Sequence, residues 1–381
     1  MIRRLVIAVT ICFVTLIRAP AEAVEFTDMV HDLTVLQGRM VMGDQKARDL
    51  VARQFDAIEL KIPELGPDEW ILQKNTRAAI VYLLGGGSAA TLRELHEAGF
   101  FAPEDSSLVE AALNHAEGDR NAGTRLAVFD PKAYPPILGG HLALVQGNAR
   151  IMENKEKAIV SFDLARLFMP ASLVEEAALR RELRVLDPEK SADKIASLAR
   201  IYAERYHASP YAGNFWTELQ GLIFGPSGEA DFRMATQLAA VIDLAPVAEQ
   251  FGLKAALFRS AFLKGQINDA NHWLEKAAAA ASGAEQNLRR VAFYRAMMAA
   301  VDPQHKSHDD KQTFQLAAPP EPEDQVLKEI TAAVVNRIEI AREEEPNAAD
   351  EAPADTRSQM VNAAHLLFDE VDALLKKRER K

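Results

Sequence analysis

Few residues in this chain have the types and spacing that chemistry requires. His305-x-x-His308 with Asp309 and Asp310 is the one metal-like cluster. Two imidazoles three apart plus carboxylates could hold zinc, but no third anchored ligand is evident, and a solvated polar loop is the preferred reading. His141 falls near a predicted helix start, and His96, His115, His272 and His365 fall on predicted helices, none with HExxH spacing. A GxSxG elbow is missing. Glu175-Glu176 and Glu343-Glu344-Glu345 are sequence neighbours, so they point to different sides of a helix and read as solvated faces rather than acid/base pairs. No catalytic residue, cofactor site or metal site is expected. The exposed-looking aromatic group Tyr202, Tyr206, Tyr211, Phe215 and Trp216 is the better candidate, because aromatics near a concave helical surface anchor partners. Core packing between consecutive hairpins is the competing use, and it suits most of them.

The elements that must position these side chains are read most directly over residues 135–215. Within 138–152, Leu138, Leu142, Val145, Ala149 and Met152 recur in steps of three and four, one buried helix face. Asn154 is the expected N-cap of the next helix, which buries Ala158, Ile159, Phe162, Ala165 and Leu167 or Phe168. Pro170 closes it, since proline cannot continue the ladder. Ser172 and Glu175 form a capping-box pair that opens a third helix, with Leu173, Ala177, Leu179, Leu183 and Leu186 inward.

Ala158, Phe162, Ala165 and Pro170 stand at the offsets of the second helix of a tetratricopeptide-type repeat. The first helix lacks that repeat's Trp and Gly-Tyr positions, where Leu142, Gln146 and Ala149 stand. Two readings stay open: a degenerate helix-pair repeat whose members need neighbours to bury their faces, or an ordinary helical domain with coincidental prolines. Both are all-α. The expected architecture is stacked antiparallel helix pairs, a degenerate tetratricopeptide-like solenoid, with a C-terminal helical extension.

Composition agrees. The chain has 381 residues, 48% hydrophobic but only 7% aromatic, so it can bury a sizeable core and favours helix over sheet. The formal charge is −11 with no basic stripe, which argues against nucleic acid.

The N-terminus reads as a signal peptide, residues 1–23: Arg3 and Arg4, an apolar run from Leu5 to Ile17, and a small-x-small site at Ala21-Glu22-Ala23. The run is too short to span hydrocarbon, which takes about 20 residues, so no stable membrane insertion is expected after cleavage. A retained signal anchor is the alternative. Cys12, the sole cysteine, would be lost on cleavage, leaving no thiol chemistry. Arg3-Arg4 lacks the rest of a twin-arginine motif, so export by the general secretory route is expected.

Helical hairpins are expected over 24–134. There Gly85-Gly86-Gly87-Ser88 reads as a helix end with Ser88 capping the next helix, because no Lys-Ser/Thr follows and no strand precedes. The repeat region is expected over 135–300 and a polar linker over 301–323. Residues 324–381 should hold two helices around an acidic break. The last helix, with Met360, Val361, Ala364, Leu367 and Phe368 on one face, either folds back on its neighbour or pairs with another chain.

GGHLALVQGNARIMENKEKAIVSFDLARLFMPASLVEEAALRRELRVL, followed by YAERYHASPYAGNF, resembles the core of the MotC family, periplasmic motility proteins of rhizobia and relatives. VLQGRMVMGDQKARDLV and GGGSAATLREL extend the likeness, which spans roughly residues 30–220. The resemblance implies a non-enzymatic role in flagellar rotation through binding the periplasmic part of the stator protein MotB, and offers no catalytic residues to carry across. A periplasmic scaffold for envelope assembly is the alternative. An enzyme would need a lone glutamate of raised pKa in a deep pocket.

Overall fold

The computed structural model describes residues 25–224, 231–281, 283–301, 319–322 and 324–343, and every regular element among them is helical. The expected signal peptide with Cys12, the His305–Asp310 cluster, Glu344, Glu345 and the last predicted helix with His365 lie outside the described residues.

The amino-terminal half comprises α1 (Phe26–Val41), α2 (Gln45–Lys61), α3 (Pro67–Trp70), α4 (Gln73–Leu84), α5 (Ala90–Glu97), α6 (Ser106–Ala116) and α7 (Ala122–Leu126). Next come α8 (Pro136–Arg150), α9 (Lys155–Phe168), α10 (Leu173–Val185), α11 (Ala192–Arg205) and α12 (Ala212–Phe224). The series closes with α13 (Phe232–Gln237), α14 (Ala239–Ile242), α15 (Val247–Leu263), α16 (Ile267–Ala280), α17 (Glu285–Val301) and α18 (Asp324–Glu343).

Several helices start where a short polar side chain satisfies free amides. Asp44 accepts from the Lys46 and Ala47 amides, and Asn154 from that of Lys157. Ser172 accepts from Glu175, but the Glu175 carboxylate reaches past the N-cap to the Ala171 amide at 2.6 Å. Ala171 has a φ of +54°, a conformation that is unusual for a residue with a side chain. At the glycine-rich loop the expectation shifts by one residue. Ala89, not Ser88, is the N-cap of α5, and the Ser88 amide instead donates to the Tyr82 hydroxyl at 3.1 Å.

The hairpin α8–α9 shows how the pairs are built. A Cβ added to Gly140 would stand 2.5 Å from Met169, and one added to Gly147 would stand 2.5 Å from Phe162. Arg150 donates to Ser161 at 2.7 Å. The order of contacts (140 with 169, 147 with 162, 150 with 161) makes the helices antiparallel, and the glycines let them approach closely. Ala158, Phe162 and Ala165 are buried as the spacing requires. Of the alternatives Leu167 and Phe168, Phe168 packs against the core and Leu167 is exposed; Met152 departs from the expectation and is exposed because α8 ends at Arg150.

Packing crosses residue 135. Leu138, Leu142 and Val145 share a core with Phe26, Trp70 and Leu126, whereas Val41 joins the core of α10–α18. Helix α1 therefore touches both halves. A side chain on Gly38 would sit 2.9 Å from the Ala171 carbonyl oxygen. Consecutive elements that bury one another's faces make an all-α stack, as the periodicity predicts.

Candidate functional site

The five candidate aromatics lie on α11, the turn after it and α12, and their neighbours on α10 supply charge. Tyr202, Tyr206, Phe215 and Trp216 are buried, which corrects their exposed-looking reading and agrees with the competing one, core packing; Tyr211, at 38% exposure, remains at the surface. Tyr202 stacks on Phe215 with ring centroids 4.0 Å apart and planes 12° off parallel, and Phe215 meets Trp216 edge-on at 4.7 Å. Such pairs add about 0.5–1.5 kcal/mol beyond burial.

Glu175 and Glu176 are the larger surprise. Their adjacency in sequence suggests solvated faces, but both are buried. They do point to different sides. Glu175 accepts from the Tyr206 hydroxyl and from Arg205, each at 2.6 Å. Glu176 accepts from the Tyr202 hydroxyl at 2.6 Å, from Ser209 at 3.3 Å, and from two nitrogens of Arg180 at 2.8 and 3.0 Å. Charge-assisted bonds of this length are what a buried carboxylate requires. Burial, reinforced by the adjacent carboxylates, pushes both tyrosine hydroxyls well above their ordinary pKa, so they stay donors at any physiological pH.

Another buried carboxylate lies nearly two turns further along α10. Glu182 is fully enclosed and flanked by Lys194 at 2.7 Å and Arg166 at 3.1 Å. Burial raises its pKa despite the two cations. It is not the lone acid that an enzyme would need, because both oxygens face cations.

The buried network ends at the surface in Tyr211. Its ring lies 5.1 Å from the Arg180 guanidinium, which Glu176 already holds in two-point contact. One turn further along α10, Arg184 reaches Glu218 of α12 at 2.6 Å. The exposed aromatic therefore sits on a guanidinium fixed from below. The same buried residues carry the sequence phrases LVEEAALRR and SPYAGNF.

A family model described as "Chemotaxis protein MotC" matches residues 1–380. The chain belongs to the MotC family. It is 30% identical over 191 residues to the Chemotaxis protein MotC of Rhizobium meliloti (strain 1021). That match covers 49% of this chain and 43% of the relative, so less than half of the relative's length is spanned. No solved structure matches the chain.

Both the family model and this relative carry the description of a chemotaxis protein. Among the described residues, no helix is long and apolar enough to cross a membrane, and no three His, Cys, Asp or Glu side chains gather as metal ligands. The buried glutamates could not have been found from α10 alone. Their partners Tyr202, Tyr206 and Arg205 lie 26 to 31 residues downstream, and only the recurrence of Tyr and Arg on one face of α11 hinted at acceptors opposite.

Proposed function

We propose that the chain is a non-enzymatic periplasmic protein that supports flagellar rotation by binding the periplasmic part of the stator protein MotB. Family membership supplies the motility role. The surface formed by Tyr211, Arg180 and the Arg184–Glu218 pair is the binding face of this reading. One observation carries the choice of face: Tyr211 is an exposed aromatic whose cationic support is fixed by a buried bidentate carboxylate. A pre-ordered aromatic anchor loses little side-chain freedom on binding, which favours affinity. The buried carboxylates serve this rigidity, not turnover. Export by the general secretory route places the mature chain beside its partner.

A clean deletion tests the function. Cells lacking the gene should assemble flagella of normal number and length yet swim poorly, and a copy encoding Tyr211→Ala should restore swimming only in part. Normal swimming in the deletion, or loss of the filaments themselves, contradicts the reading and favours an envelope scaffold.

A further inference from the structure

A groove of about 350 Å³ opens between α1, α4 and the start of α8, and Tyr211 is not among its lining residues. Its floor is apolar: Val30, Ala78, Val81 and Leu138 are all buried. Its rim carries donors from two helices, His31 of α1 with Gln73, Lys74 and Arg77 of α4. No carboxylate is among the lining residues.

Arg77 is the best-placed donor. Its Nε donates to Asp105 at 2.8 Å, and Asp105 is buried at 3% exposure. Its guanidinium lies 5.5 Å from the centre of the Tyr134 ring. The ion pair and the ring fix the plane of the guanidinium, while its terminal nitrogens make no hydrogen bond to any described residue. The side chains of His31 and Gln73 likewise make none among the described residues. Lys74 pairs with Glu25 at 2.6 Å, but both side chains are more than half exposed, so that pair contributes little and can be exchanged. An apolar floor with a few convergent polar groups is the common form of a small-molecule site, in the size range of about 300–1,000 Å³. Among the lining residues every unsatisfied polar group can donate and both charged side chains, Lys74 and Arg77, are cations; Glu25 stands beyond the rim on Lys74 and Thr27. The complementary molecule has an apolar body and an anionic acceptor head that a guanidinium fork can receive in two-point contact.

We propose that this groove binds a small amphiphilic carboxylate, with its apolar body on Val30, Ala78, Val81 and Leu138 and its head on Arg77 and Lys74. The site is independent of the stator reading, and its test uses no motility partner. Octanoate titrated into the full chain, followed by calorimetry, should bind at one site, while octylamine should not bind. Lys74→Gln should weaken octanoate about threefold and Arg77→Gln about tenfold or more. Ala78→Leu, which fills the floor, should abolish binding. Because Arg77→Gln leaves Asp105 without its cation and could unfold the region, Lys74→Gln and Ala78→Leu provide the deciding comparison, each with its unliganded Tm measured. Equal binding of octanoate and octylamine, or octanoate affinity unchanged in both of those variants, overturns the proposal. So does binding of an acetylated pentapeptide ending in leucine when octanoate itself does not bind, since that would assign the groove to a polypeptide terminus.

Discussion

The Tyr202 hydroxyl donates to the Glu176 carboxylate at 2.6 Å, and neither side chain has any measurable exposure. The bond ties α11 to α10 from within, while Arg180 neutralises the same carboxylate from the rim of the network. Removing one partner of such a bond leaves the other desolvated and unsatisfied, which costs about 1–3 kcal/mol and more when the orphan is charged. Tyr202→Phe should therefore lower unfolding free energy by about 2 kcal/mol in urea titrations. Glu176→Gln should cost less in the Tyr202→Phe background than in the wild type, and strict additivity in this cycle would show that the two side chains are not coupled.

Burial lowers the pKa of His141 to about 4, an effect only partly offset by its hydrogen bond to the Leu84 backbone. The unfolded chain binds the imidazole proton near pH 6.5, so between that value and about 4 it holds more protons than the folded chain at this site. The stability contributed by neutral His141 is thus present above the unfolded pKa and is lost as pH falls towards 4, by up to about 3 kcal/mol. His141→Gln should flatten this part of the stability–pH curve. An unchanged slope between pH 6.5 and 4 in the variant would contradict the assignment.

Close approach of α8 and α9 depends on glycine. A methyl at position 147 would stand 2.5 Å from the Phe162 ring, inside any tolerated carbon–carbon contact. Gly147→Ala should destabilise by about 1–3 kcal/mol, and Phe162→Leu should recover part of that loss. Thermal unfolding of the two single variants and the double variant measures it directly. A neutral Gly147→Ala would mean that the pair is packed more loosely than described.

Helix α18 is held by a polar clasp. Asp324 is wholly buried, accepts from the Tyr294 hydroxyl at 2.7 Å and lies 3.2 Å from Arg290. Leu327 and Val335 of α18 enter the same core as Phe258 and Tyr294. Asp324→Ala should raise amide exchange across 324–343 while leaving α10 and α11 protected, as expected when one cooperative unit opens alone. Uniform acceleration along the chain would show that α18 is not separable from the rest.

Much of the fold was legible because it follows local rules. Ala158, Phe162 and Ala165 are buried where a 3.6-residue period puts them, Asn154 caps its helix, and α9 stops before Pro170. The rest shares a cause. Sequence leaves Leu167 and Phe168 as alternatives for the core, and only the placement of the neighbouring helices selects Phe168. Glu175 and Glu176 look solvated because adjacent carboxylates on one helix give no reason for burial. The reason is the side chains of a distant segment: Tyr202, Tyr206 and Arg205. Of the candidate aromatics, sequence could name the group but not sort Tyr211 from the four that pack inside.

If Tyr211 heads a gripping surface fixed from beneath, the affinity of the purified chain for the periplasmic portion of MotB tests that most directly, with wild type set beside Tyr211→Ala. Wild type should bind saturably, and the substitution should weaken binding about tenfold or more while Tm stays unchanged. No binding by the wild type, or equal binding by the two, would contradict a MotB-gripping role for this surface.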